Sequence, residues 1–445
     1  MAEEEGRRRR SVTLLPATAV VIGNMVGTGV FTSLGFQLAG IQSGFVLMVL
    51  WTLGGVCALC GAVCYGELAA ALPRSGGEYH LLSRIYHPAL GFLAGWISVT
   101  VGFAAPVALV AMAFGTYFAG ISGVEGTQLP MLMSALLVFV VTAVHLLHIG
   151  VGSKFQSVFT LAKVILIVVL IAAAFLIGDS QGVSFLPKAG DWKVMVSNPF
   201  AVSLVFVMYA YTGWNAAVYI VDEVDEPRKT VPRALLTGTA LVMILYLGLN
   251  AAFLYSTPIA EMKGKVEVGL VAAQSIFGDA GGKIMASLIC LGLISAVSAM
   301  TWAGPRVAQR MGEDFHALRF LSITSRSGIP YVAVLWQSAV VYLLLFTSSF
   351  EAVLVYVGLL LVLFALLTVI GLFWLRIRQP DLERPVKAWG YPVTPAIFIG
   401  VSLWMMVYVA RANPVGALWG LATVAVGGGV YLFAIYLSPK RERRS

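Results

Sequence analysis

Gly23-Asn24-Met25-Val26-Gly27-Thr28-Gly29 interrupts an apolar run that is otherwise long enough to cross a bilayer. Glycine lowers helix stability by about 1 kcal/mol relative to alanine. Three glycines beside Asn24 and Thr28 therefore predict a break within residues 13–38. In lipid an interrupted backbone survives only where protein or a water-filled cavity satisfies it. Thr212-Gly213 makes a second interruption, within residues 198–221. Interruptions at matching places in two halves of a chain predict inverted repeats with a site between them. Close helix packing through small residues is the alternative for glycines alone.

Working outward, a spanning helix needs about 20 mostly apolar residues. The sequence offers twelve such runs: 13–38, 44–66, 90–120, 128–149, 154–178, 198–221, 234–256, 283–309, 330–347, 352–375, 393–410 and 415–437. The expected fold is an all-α membrane protein of twelve transmembrane helices with helices 1 and 6 broken. The expected division is a tail at 1–12, a first repeat at 13–178, a second at 198–375, two further helices at 393–437 and a tail at 438–445.

Composition agrees. The 445 residues are 59% apolar and 11% charged, where a soluble domain carries about 25% charge. The net charge of +8 would suggest nucleic acid in a soluble protein. Here it reads as basic cytoplasmic loops, and no nucleic acid is expected. With the N-terminus inside, 22 basic residues fall in inner segments, including Arg7–Arg10, Lys154 and Arg326, and six in outer ones. That bias predicts a multi-pass protein of the cell inner membrane with both termini cytoplasmic.

A broken helix presents free N–H groups at one half-helix and free carbonyls at the other. The N–H end attracts a carboxylate, and the carbonyl end attracts an ammonium. Two broken helices crossing at the midplane could hold a zwitterion without any charged side chain. The segments at mid-membrane depth are almost free of charge.

Five ordered motifs carry a family resemblance over nearly the whole chain. They are Gly23–Phe31, the inner loop Tyr65–Tyr79 with Pro73-Arg74-Ser75-Gly76-Gly77-Glu78-Tyr79, and Tyr209-Ala210-Tyr211-Thr212-Gly213-Trp214-Asn215. They continue with Glu223–Ala234 and Arg384-Pro385-Val386-Lys387-Ala388-Trp389-Gly390-Tyr391-Pro392. The chain resembles the amino acid–polyamine–organocation superfamily, and within it the L-type amino acid transporter branch. One departure is Gly312-Glu313-Asp314-Phe315-His316, where the family usually has a basic–acidic–glycine ending.

The resemblance implies the leucine-transporter-type five-plus-five inverted repeat. It implies that N–H groups of Gly27, Thr28 and Gly29 bind the substrate carboxylate, and that carbonyls near Asn24, Met25, Tyr209 and Thr212 take the ammonium. Tyr209 stands where the family has an aromatic outer gate, and Trp214 and Asn215 would brace the second break. Lys163 lies about ten residues into an apolar run, and an intramembrane lysine is a functional candidate by default. By the resemblance it replaces the sodium ion of sodium-driven relatives, with Ser295, Ser298 and Thr301 as nearby polar groups.

Other polar residues have blander readings. Glu67 is expected to pair with Arg74 or Arg228, or to cap its helix at the inner face. His145 and His148 read as interfacial. Cys57, Cys60, Cys64 and Cys290 all fall in apolar runs and read as packing residues.

The sequence thus predicts a sodium-independent transporter of neutral L-amino acids, working by exchange or facilitated diffusion. It predicts no enzyme activity, cofactor or metal. A polyamine or cationic amino acid permease is the alternative, and it would need a carboxylate in the cavity, which spans 1, 3, 6, 8 and 10 do not offer. A non-transporting sensor is the other. Residues 121–128 hold no cysteine, so no disulfide-linked accessory subunit is expected.

Overall fold

The computed structural model describes residues 12–123, 128–147, 153–325 and 328–437, apart from the side chains of 153–157 and 437. The expectations for Arg7–Arg10, His148, Lys154, Arg326 and residues 438–445 fall outside these. Every regular element among the described residues is helical, and one isolated bridge joins Val12 to Val224.

The first half contains α1 (Leu14–Met25), α2 (Gly29–Gln37), α3 (Gly44–Ala71), α4 (Gly77–Ile85) and α5 (Pro88–Ile97). A π-helical turn at Ser98–Gly102 links α5 to α6 (Ala104–Ser122), followed by α7 (Gln128–Leu147) and α8 (Ser153–Ile177). After the short α9 (Asp191–Met195) comes α10 (Asn198–Ala210), then a 3₁₀ helix at Ala216–Glu223. The chain continues through α11 (Pro227–Ser256), α12 (Ile259–Met262), α13 (Val268–Asp314) and α14 (Tyr331–Thr347). It ends with α15 (Phe350–Arg378), α16 (Val393–Ala412) and α17 (Pro414–Leu437).

Ten of these helical stretches are long and apolar enough to cross a membrane, counting α1 with α2 and α5 with α6. Two further apolar helices, α10 and α14, are shorter, with 13 and 17 residues. The run at 198–221 is thus not one helix. It stops at Ala210, where Thr212 turns its N–H back to the Tyr209 carbonyl and Gly213 adopts φ +95°. The run at 13–38 stops at Met25 and restarts at Gly29. The long α13 also bends, at Gly278, whose φ of 72° departs from helical geometry. The stretch after this bend contains the expected run 283–309.

The core lies around the two interruptions. In the most apolar window of α15, 72% of residues are buried inside the protein, against 17% for α17. The first is therefore central and the second lines the lipid. The helix α11 packs most extensively on α3 and on α1.

Glu67 corrects one expectation. Its carboxylate is 1% exposed and takes a two-pronged bond from Arg376, at 2.9 Å from Nε and 2.5 Å from Nη2. Arg384 lies 3.4 Å away, and the Ala388 N–H donates to Glu67 at 2.6 Å. Neither Arg74 nor Arg228 is its partner, and Arg228 instead meets Glu383 at 2.8 Å. The segment after α15 folds back under α3, so the basic residues near in space lie over 300 positions away in sequence.

Candidate functional site

The two interruptions meet. A side chain on Gly213 would lie 2.8 Å from the Asn24 carbonyl carbon and oxygen, so only glycine fits where the second break crosses the first. Gly29 is equally constrained, because an added Cβ would fall 2.5 Å from the Ala210 Cα. Gly27 differs. Nothing lies within 4 Å of where its Cβ would be, because it faces a cavity of about 300 Å³. That volume suits a small ligand.

Asn24, Met25, Gly27, Thr28, Gly29, Tyr209, Thr212, Trp214 and Asn215 all line this cavity. The structure thus brings together every residue expected at the substrate site. It also revises which backbone groups are available there. The Gly27 N–H is taken by the Met25 carbonyl at 2.8 Å. Among the described residues no backbone carbonyl takes the N–H of Thr28, Gly29 or Val30. The free donors are therefore those at the start of α2, one residue later than expected. The Met25 carbonyl accepts the Tyr246 hydroxyl at 2.5 Å as well, and the Tyr209 carbonyl accepts both the Thr212 N–H and its hydroxyl. The carbonyls of Asn24 and Met208 are among those at the breaks that take no backbone N–H.

Tyr246 had no signal in the sequence, being one tyrosine in an apolar run. Its hydroxyl also reaches the Ala210 carbonyl at 3.1 Å. One buried side chain of α11 therefore closes the ends of both interrupted helices, α1 and α10. Trp214 packs edge-on against Tyr65 with ring centres 4.7 Å apart. Asn215 donates to Glu78 at 2.5 Å.

Lys163 is 5% exposed, and its Nζ donates to the Val26 carbonyl at 3.1 Å, beside the first break. Gly292 of α13 packs against its stem, where an added Cβ would lie 3.4 Å away. The expected meeting of α1, α8 and α13 is thus present. The hydroxyl of Ser295 is buried without a hydrogen-bond partner among the described residues. Ser298 does not turn to Lys163. It pairs with His145 at 2.9 Å and lines the cavity. His145 is 5% exposed and is therefore a buried bundle residue of α7, not an interfacial one.

Glu78 was overlooked as a site residue because it lies in a loop motif and not in a span. It is 8% exposed and lines the cavity. Its oxygens accept from Tyr65 at 2.8 Å, from Asn215 and from Tyr219. The cavity therefore does contain a carboxylate, supplied from outside spans 1, 3, 6, 8 and 10. The π-helical turn contributes Ser98 and Gly102 to the same lining. Such turns recur at functional sites because they re-aim side chains within a helix.

Toward one end the cavity reaches the exposed Glu223 beside Val12 and Trp302. Outside the lining, Phe36 of α2, Phe206 of α10 and Phe350 of α15 stack with centres 5.3 and 5.7 Å apart. A model of a family described as amino acid permease matches residues 12–435. The chain belongs to the amino acid permease family. It is accordingly a multi-pass membrane transporter and not an enzyme.

Relatives of this permease agree with the resemblance to the L-type branch. The large neutral amino acids transporter small subunit 2 of Rattus norvegicus is 26% identical over 97% of the chain and 82% of its own length. The b(0,+)-type amino acid transporter 1 of Mus musculus is 26% identical over 91% of the chain and 84% of its own. The cystine/glutamate transporter of Homo sapiens is 26% identical over 98% and 87%.

Proposed function

We propose that this permease is a sodium-independent carrier of neutral L-amino acids that works by alternating access, as an exchanger or a facilitated-diffusion carrier. The observation that carries this reading is the crossing of two interrupted helices on a cavity with no basic side chain in its lining among the described residues. The substrate carboxylate meets the free N–H groups of Thr28, Gly29 and Val30, and its ammonium meets the carbonyls of Asn24 and Met208. Tyr209 gates the outer side, while Trp214 and Asn215 brace the second break. Lys163 stands for a bound sodium ion by holding the Val26 carbonyl, with Ser295 in reach and Ser298 kept on the cavity wall by His145.

The reading includes twelve spans, α10 and α14 among them, as two inverted repeats at 13–178 and 198–375 with two added helices at 393–437. Both termini, 1–12 and 438–445, face the cytoplasm. In that orientation the cavity opens inward and the phenylalanine stack closes it outside. The absence of cysteine from residues 121–128 supports a carrier without a disulfide-linked subunit. The test is counterflow in proteoliposomes made from this chain alone, loaded with an unlabelled amino acid panel. Accumulation of labelled neutral amino acid that depends on the internal load supports the reading. Binding without flux would make the protein a sensor.

A cationic substrate is the second reading, and Glu78 in the cavity lining is the observation that favours it. Lysine in the same counterflow panel separates the two.

A further inference from the structure

Among the described residues the cavity lining carries charge of one sign, with Glu78 and Glu223 and no lysine, arginine or histidine. The bases close by have partners of their own: Lys163 donates to the Val26 carbonyl, His145 pairs with Ser298, and Arg306 stacks on Trp302 at 3.4 Å. Glu223 is exposed at the mouth, where water screens it. Glu78 is buried, and it makes no ion pair among the described residues. All its partners, Tyr65, Asn215 and Tyr219, are neutral donors, the set an anionic carboxylate takes.

Its position matters because Asn215 follows the second break by two residues and Gly213 touches Asn24. Glu78 is thus one hydrogen bond from the segment that frames the substrate. The α-carboxylate has its own donors at the start of α2, so that charge is met. A second carboxylate, on the substrate side chain, would find no counter-charge and would meet Glu78.

We propose that Glu78 is the specificity-determining residue for side-chain charge: it excludes amino acids with an anionic side chain and admits neutral ones. This rests on the amino acid carrier reading and names the substrate class of the same site. At an effective dielectric near 20, like charges some ångströms apart disfavour binding on the order of tenfold to a hundredfold. Placing the charge on a loop helix held by both α3 and the second break keeps it fixed while the bundle moves.

The test uses isosteric pairs that differ in charge alone. Glutamine and glutamate, and asparagine and aspartate, compete with uptake of a labelled neutral amino acid into proteoliposomes. The amide outcompetes its acid by on the order of tenfold or more in the parent protein. In Glu78→Gln that ratio falls severalfold, even where overall transport declines through the lost anchor of Asn215. Ile220→Lys, which adds a base to the lining and leaves Glu78 in place, lowers the ratio as well. A ratio near one in both pairs overturns the proposal. So does a ratio that neither variant moves. Loss of all neutral uptake in the parent protein is the distinct result that removes the carrier reading itself.

Discussion

Two glycines two positions apart do different jobs. Gly29 packs its α-carbon against Ala210, and Gly27 faces open cavity. Gly27→Val should therefore leave the protein folded while filling the site and stiffening a backbone that β-branched residues restrict. Substrate affinity falls at least tenfold by that account, with thermal stability close to the parent. Gly29→Val forces the backbones apart and lowers stability as well. Unchanged affinity in Gly27→Val would remove the first break from the site. His80 gives a pH prediction outside the membrane. Burial, then the charges of Arg74 and Arg84, pull its imidazole from 6.5 down to about 4 against the opposing Asp222. The folded value lies below the unfolded one, so as pH falls the unfolded chain takes the proton first. Stability present above pH 6.5 is lost between pH 6.5 and about 4. The melting midpoint of His80→Gln should fall less across that window, and an equal fall would assign the loss to other groups.

Among elements, the breaks were legible because glycine and small polar residues stand out in an apolar run. What satisfies the breaks was not legible. Tyr246 sits in α11 with apolar neighbours, and nothing in a helical period distinguishes a tyrosine that bonds two carbonyls from one that fills space. Glu78 was quoted in its loop motif, yet its place in the cavity depends on how α4 folds against α3 and the 3₁₀ helix. Ser298 and His145 failed for the same reason, since a hydrogen bond across 153 positions leaves no local pattern. The segment Arg384–Pro392 was legible as a motif, but its anchor at Glu67 was not. Removing one partner of a buried ion pair costs about 3–5 kcal/mol, because the other charge is stranded. Glu67→Ala should thus destabilise strongly, and Arg376→Ala added to it should cost much less than it does alone. Strict additivity in that double-mutant cycle would show that the pair is not coupled.

At the scale of the whole molecule, charge bias and the two breaks make a single account. In the proposed orientation the inner loops carry the bases and the cavity, which reaches the exposed Glu223, faces the cytoplasm. Cysteines introduced at Arg228 and Arg384 should react with impermeant reagents from the cytoplasmic side only. Reaction of either from outside would invert the topology. Ten of the twelve apolar runs hold helical stretches long and apolar enough to cross a membrane. The exceptions were α10, cut at Ala210 by its break, and α14, whose 17 residues fall short of a full crossing.

The proposed sodium independence joins these scales, since one side chain on α8, Lys163, holds the carbonyl of Val26 where the first helix ends. The direct measurement is initial uptake of a labelled neutral amino acid into proteoliposomes with external sodium replaced by choline, in the parent protein and in Lys163→Ala. The account predicts equal uptake in the two salts for the parent. It predicts at least a tenfold loss for Lys163→Ala at matched insertion, because the half-helix loses its tethered cation. Steep sodium dependence in the parent, or full activity in Lys163→Ala, would contradict it.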